Sequence, residues 1–311
     1  MKKIKTLTVV ITNHNRPKII LLVIDSIIAQ QLENIDMDIL IIDDASTLPI
    51  NPADLKKYGK KVKLHRLNAN VGLHGARNVG IRLAKGDFII IADDDDPFIP
   101  NMLQKALDLM VSLDNYLKYP MLLFARTNGY IQKDYMLLNE EDFFKKALKG
   151  DFTPIINKKV FLENDFIYPE HEGIKQISCE ILLSYEIARK FGIPAWKYNI
   201  IQLGDADTTV NRLTNPKNWL LKAKQFVKLQ EIEIEYMQKH GFDKKYTDHY
   251  NFKLKGLYIY MLLDNRKIEA RKLLKEKIDC NFFVKFGLFT ISYLPISIIY
   301  KLLKIYRKMR K

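Results

Sequence analysis

The chain has 311 residues, a hydrophobic fraction of 48% and a formal net charge of +14 at pH 7. That length buries a substantial core, as one large domain or two small ones, and the apolar fraction is that of a globular protein. The charge calls for an anionic partner: nucleic acid, a phosphorylated substrate or an acidic membrane surface. Two cysteines, Cys179 and Cys280, exclude a disulfide framework and set the expectation of a reducing, cytoplasmic compartment. Met1-Lys2-Lys3-Ile4 leads straight into a strand and lacks the apolar core and small-residue cleavage site of a signal peptide.

The predicted elements begin with a strand over Leu7 to Ile11, then a loop at Asn13-His14-Asn15-Arg16. Pro17 opens a helix to about Gln31, with Ile20, Val23, Ile24, Ile27 and Ile28 on one face. Strands follow at Asp38 to Ile42 and Val62 to Arg66, then a helix from about Gly75 to Lys85 with Gly86 as its C-cap. Phe88 to Ala92 is the fourth strand, and Pro100 opens a helix to about Leu113. Strand and helix alternating in this way predict an α/β fold, with a mostly parallel sheet covered on both faces. Further on, Met121 to Ala125 and Lys197 to Leu203 read as strands, and Glu140 to Leu148, Ile181 to Lys190 and Lys217 to His240 as helices. Beyond about Asn211 nearly every signal is helical, so a boundary is expected there.

Asp93, Asp94, Asp95 and Asp96 end the apolar run Phe88 to Ala92, and Asp43 and Asp44 end the run from Asp38 to Ile42. Adjacent carboxylates repel one another unless a cation gathers them. Ligands of open parallel sheets bind beyond the carboxyl ends of the strands, and carboxylate oxygens suit hard divalent ions such as Mg²⁺ and Mn²⁺. Two strands therefore deliver acids to the edge where such a sheet does its chemistry. No G-x-G-x-x-G follows the first strand, which argues against a dinucleotide-binding dehydrogenase. The basic residues carry no motif of a known nucleic-acid fold, so a nucleic-acid partner is not expected.

Four segments in order resemble the signatures of family 2 glycosyltransferases. They are Thr8 to Pro17, Ile41 to Ser46, Gly72 to Gly80 and Gly86 to Asp96. These are inverting enzymes of the GT-A fold that use nucleotide-sugars, many of them in bacterial surface-polysaccharide synthesis. The resemblance implies transfer of a sugar from a nucleotide-sugar, UDP-linked in the commonest case, to a hydroxyl of a glycan or lipid-linked glycan. It implies a GT-A catalytic domain over residues 1–211, with a nucleotide-sugar-binding half (1–113) and an acceptor-side half (114–211). A helical region with a basic amphipathic tail then covers 212–311. It places Thr12, Asn13, His14, Arg16, Asp44, Arg77, Asp93 and Asp94 around the donor, with Asp44 on the uracil edge. Asp95, with Asp93, becomes the holder of Mn²⁺ or Mg²⁺. His14 stands where the family commonly has a tyrosine that stacks on the base.

The acceptor's proton needs a carboxylate. The resemblance points to Glu180, with Cys179 where the family often has Glu; Glu172 and Glu170 are the rivals. Two other readings remain. One is a glycosyltransferase-like scaffold without catalysis. The other is a haloacid-dehalogenase-like phosphatase, suggested by Asp205-Ala206-Asp207-Thr208-Thr209. The tail combines an apolar stretch, Phe286 to Tyr300, broken by Pro295, with Lys301, Lys304, Arg307, Lys308, Arg310 and Lys311. It reads as an interfacial anchor on an anionic leaflet, through Phe286, Leu288, Phe289, Ile291 and Leu294, or as a core helix with a solvated tail.

Overall fold

The computed structural model describes residues 4–145, 147–174, 180–203 and 219–309. It divides into two compact units, Met1–Glu170 with Ser178–Asp207, and His171–Ile177 with Thr208–Lys311.

The first unit runs β1 (Thr6–Asn13), α1 (Ile19–Ile28), β2 (Asp36–Asp43), α2 (Pro52–Leu55), β3 (Val62–Arg66), α3 (Gly72–Leu83), β4 (Phe88–Asp93), α4 (Met102–Ser112) and β5 (Met121–Arg126). It continues through β6 (Tyr130–Ile131), β7 (Tyr135–Leu138), α5 (Glu140–Phe144), β8 (Leu148–Lys149), β9 (Phe152–Asn157), α6 (Lys158–Glu163), α7 (Ile181–Phe191) and β10 (Ile193–Ile201). Eight strands form one sheet in the order β3-β2-β1-β4-β9-β5-β10-β7. Strands β3, β2, β1 and β4 are parallel, as is the β5–β10 pair. The side chains alternate along each strand. Leu7, Val9 and Ile11 of β1 and Phe88, Ile90 and Ala92 of β4 pack with α1 and α4 on one face. Val10, Ile89 and Ile91 pack with α3 and α7 on the other. Strands buried on both faces are what their unbroken apolar runs require.

The sheet is largely parallel, with β9 antiparallel between β4 and β5 and β7 antiparallel to β10 at its edge. Pro154 disguises β9, since proline argues against a central strand; pairing with β4 stops at Ile155. Two expectations need correction. The expected helix from Glu140 to Leu148 ends at Phe144, and Leu148–Lys149 is strand. Its short N-terminal turn is held by a capping box between Asn139 and Asp142. Gly86 is not the C-cap of α3, which is Ala84. Gly86 instead passes β1 so closely that a Cβ would lie 2.5 Å from the Thr8 nitrogen, and its N–H donates to Thr8 Oγ1 at 2.9 Å.

The second unit is helical: α8 (Trp219–Lys239), α9 (Phe242–Lys245), α10 (Thr247–Leu263), α11 (Lys267–Glu276), α12 (Phe282–Ile291) and α13 (Ile296–Met309). Trp219, Val227, Ile234, Leu254, Tyr258, Leu262, Leu274 and Ile299 share its core. Asn281 caps α12 by accepting from Val284 N at 2.9 Å. The tail is split between the two sequence readings: Leu288, Ile291 and Leu294 pack against this core, while Phe286 and Phe289 are exposed. No helix among the described residues is long and apolar enough to cross a membrane.

Candidate active site

The carboxyl ends of β1, β2, β4 and β5 bring the site together, all within the first unit. Register alone sets the frame: Thr12 lies opposite Asp93 and Asn13 opposite Asp43. Thr12 and Asn13 are buried. Asn13 Nδ2 donates to Asp94 Oδ2 at 2.8 Å and to the Arg16 carbonyl at 3.1 Å. Its buried Oδ1 has no hydrogen-bond partner among the described residues.

Each acid of the tetrad meets a guanidinium. Arg16 Nη1 lies 2.7 Å from Asp94 Oδ1 and 3.0 Å from Asp95 Oδ2. Asp93 sits between Arg77, at 3.0 Å, and Arg126, at 2.7 Å. Arg126 Nη1 also reaches Asp96 Oδ2 at 2.6 Å. Burial pushes the Asp93 carboxyl up, but the charges of Arg126 and Arg77 outweigh it and hold the group well below the usual carboxylate range. Asp94 goes the other way. Burial raises it and the charges of Asp95 and Asp93 add to that; Arg16 opposes them, and the pKa is pushed up to about 7. Neighbouring carboxylates in one cluster are thus shifted in opposite directions.

Arg77 is buried on α3 and stands over the Tyr168 ring, 5.3 Å from its centroid. Its Nη1 donates to Glu180 Oε2 at 2.5 Å and its Nη2 to Asp93 Oδ1 at 3.0 Å. One side chain therefore joins the strand-end acid to Glu180, across 103 residues of sequence. Glu180 is the N-cap residue of α7, yet its side chain makes no cap hydrogen bond there. The rivals lie elsewhere. Glu170 Oε1 accepts from Asn78 Nδ2 at 2.8 Å, and Glu172 is exposed in the segment grouped with the second unit. Cys179, Asp205 and Asp207 lie outside the described residues.

Asp44 is buried and accepts from Val71 N at 2.7 Å, Gly72 N at 2.9 Å and Asn70 Nδ2 at 2.9 Å. Those bonds fix the turn into α3. His14 lies beside it: its Nδ1 is 2.8 Å from the Asp44 carbonyl, which only accepts, so Nδ1 carries the proton. Nε2 then accepts from Asn15 Nδ2 at 3.0 Å.

Sequence reasoning missed Arg126. The signal was present, because Arg126 ends the apolar run Met121 to Ala125 just as Asp93 ends its own. A charged residue at the carboxyl end of a buried strand marks the site whichever its sign.

Among the described residues no three or more His, Cys, Asp or Glu converge as a metal cage. Asp93 and Asp95 have the carboxylate oxygens that a Mg²⁺-like ion takes, but here Asp93 is held by Arg77 and Arg126 and Asp95 by Arg16.

Residues 8–149 match the family described as glycosyl transferase family 2. Over that segment the chain is similar to family 2. Glycosyltransferase GlyG of Streptococcus pneumoniae serotype 4 is 31% identical over 183 residues, covering 55% of this chain and 56% of that protein. The UDP-Glc:alpha-D-GlcNAc-diphosphoundecaprenol beta-1,3-glucosyltransferase WfaP of Escherichia coli is 25% identical over 130 residues, 42% of this chain and 48% of that one. The chain thus spans about half, or less, of the length of the curated relatives it matches. In fold it is similar to S. aureus TarS 1-349, crystallised with UDP-GlcNAc, at a TM-score of 0.56 and 15% identity over 92% of this chain and 90% of that one. The chain shares that GT-A-like architecture: a largely parallel sheet flanked by helices, with a helical C-terminal region.

Proposed function

We propose that the protein is an inverting glycosyltransferase that moves a sugar from a nucleotide-sugar, UDP-linked, to a hydroxyl of a glycan or lipid-linked glycan. The observation that carries this reading is Arg77 joining Asp93 to Glu180 at the mouth of the sheet. It sets a carboxylate beside the strand ends where a donor's diphosphate would lie. Thr12, Asn13, His14, Arg16, Asp44, Arg77, Asp93 and Asp94 are assigned to the nucleotide-sugar. Asn13 brings a buried acceptor, Oδ1, that no described residue satisfies. Asp95 and Asp93 would hold Mn²⁺ or Mg²⁺, which when bound neutralises the charge gathering on the departing diphosphate.

In the transfer, the acceptor oxygen bonds to C1 of the sugar as the bond from C1 to the diphosphate oxygen breaks. The acceptor's proton passes to Glu180, and the nucleoside diphosphate leaves with the electron pair. The diphosphate offers Arg77 a competing anion, so donor binding would release Glu180 from Arg77 to face the acceptor hydroxyl. The helical unit carries the charge excess and is read as facing an anionic membrane surface, where a lipid-linked acceptor is held.

Transfer from a radiolabelled UDP-sugar with Mn²⁺ tests the reading. Glu180→Gln is expected to cut turnover by about two to four orders of magnitude with UDP affinity unchanged. Asp95→Asn is expected to abolish the Mn²⁺-dependent part of UDP binding in calorimetry. Full turnover in Glu180→Gln together with loss in Glu172→Gln would move the base to the other carboxylate.

A further inference from the structure

Helix α12 is apolar on two sides. Its inner side, Leu288 and Ile291, packs on the helical core, and the Leu288 carbonyl accepts from the Tyr258 hydroxyl. Its outer side presents Phe282, 75% exposed, Phe286, 59%, and Phe289, 42%, followed by Tyr293, 61%. The spacing of four, three and four residues places these rings in one row. They pair with one another: Phe282 stacks on Phe286 with centroids 6.2 Å apart, and Phe289 meets Tyr293 edge-on at 5.3 Å. A helix apolar all round is a buried helix, and such a row of exposed rings marks an interaction surface.

The row forms one wall of an open cleft of ≈ 620 Å³ against α11. The rim carries Arg271, Lys272, Lys275 and Lys285, with Glu276 as its one acid. Arg271 lies over the Tyr293 ring at 4.7 Å, and Lys285 Nζ donates to the Lys275 carbonyl at 3.2 Å. The wider charge distribution points the same way. Residues 1–207 hold 27 Lys or Arg and 27 Asp or Glu, whereas residues 208–311 hold 23 and 9, so the whole excess of +14 lies in the C-terminal third.

We infer that the α11–α12 face is the docking surface for an anionic phospholipid bilayer, with the rings inserted among the acyl chains and the rim on the headgroup phosphates. The inference rests on the membrane reading above and assigns the face. Charge selects the occupant: a second copy would bring two basic rims together, whereas an anionic leaflet offers phosphate at the rim and hydrocarbon beneath it. Aromatic rings beside a basic cluster are the composition of an interfacial anchor. The sequence-based anchor included Leu288, Ile291 and Leu294. Those face the core, so the inserting residues become Phe282, Phe286 and Phe289.

The test is sedimentation of the full-length protein with phosphatidylglycerol-rich and with pure phosphatidylcholine vesicles. The wild type is expected to partition to the anionic vesicles only. Phe282→Ser with Phe286→Ser, and separately Lys272→Glu with Lys275→Glu, should each weaken that partition about tenfold or more. Their thermal midpoints should hold, because the side chains are exposed. Ile298→Ser with Leu302→Ser on α13 should keep most of the binding. Normal binding by both α11–α12 variants, with loss in the α13 variant, overturns the face while leaving the membrane reading intact. A wild type that ignores anionic vesicles overturns both, and one that instead binds a single-stranded oligonucleotide gives the surface to nucleic acid.

Discussion

Arg126 shows how a single buried cation organises this site. Its guanidinium spans Asp93 and Asp96 and also donates to Thr153 Oγ1 at 3.3 Å. Removing one partner of a buried ion pair leaves the other charge uncompensated, which costs about 3–5 kcal/mol. Arg126→Met is therefore expected to lower stability by about that amount in denaturant titration and to weaken UDP binding, since Asp93 loses one of its two guanidiniums. Arg126→Lys keeps the charge, but a lone ammonium cannot serve Asp93 and Asp96 from one nitrogen while a second, the Nε of Arg126, holds Thr153. It should recover part of the stability and less of the nucleotide affinity. If Arg126→Met is as stable as the wild type, the carboxylates are held by other means and Arg126 does not organise them.

Among the elements, α10 and α12 are tied by the Tyr258 hydroxyl, which donates to the Leu288 carbonyl. Burial pushes this phenol up to about 12, whereas an unfolded tyrosine ionises near about 10. The sign follows: the folded chain keeps its proton over a range where the unfolded chain gives it up. Stability from this group is whole below about pH 10 and is lost as the pH rises through about 12. Tyr258→Phe should flatten that alkaline loss in thermal unfolding while lowering the midpoint at neutral pH; an unchanged alkaline slope would show that the phenol is not the titrating group. Element by element, legibility followed burial. Strands β1, β2 and β4 were legible as apolar runs because both faces are covered, and β3 was read to its exact bounds. Strand β9 was hidden by Pro154, and β6, β7 and β8 are too short for a period to show. The strand-end acids were legible for the same reason as their strands. The joining of Arg77 to Glu180 was not, because it depends on packing between residues 103 positions apart. Arg126 becomes legible only when a strand-end cation is given the same weight as a strand-end acid.

Across the whole molecule, the proposed function assigns the two units different work. Every residue assigned to the nucleotide-sugar lies in the sheet-bearing unit, which is balanced in charge over residues 1–207, and the aromatic face and charge excess lie in the helical one. A lesion in each core should then read out on a different ligand. In α3, Gly80 sits so close to β1 that a Cβ would lie 2.3 Å from Val10 Cγ1. Gly80→Ala forces the helix that carries Arg77 off the sheet, at a cost of about 1–3 kcal/mol, and should weaken UDP binding. In α13, Ile299 is buried in the helical core, and Ile299→Ala should cost about 2–5 kcal/mol. That variant is expected to lose vesicle partition as the α11–α12 face loosens, while calorimetry with UDP and Mn²⁺ returns the wild-type affinity. Loss of UDP affinity in Ile299→Ala, matching its loss of vesicle binding, would mean that the helical unit supplies part of the donor site and that the division of labour is wrong.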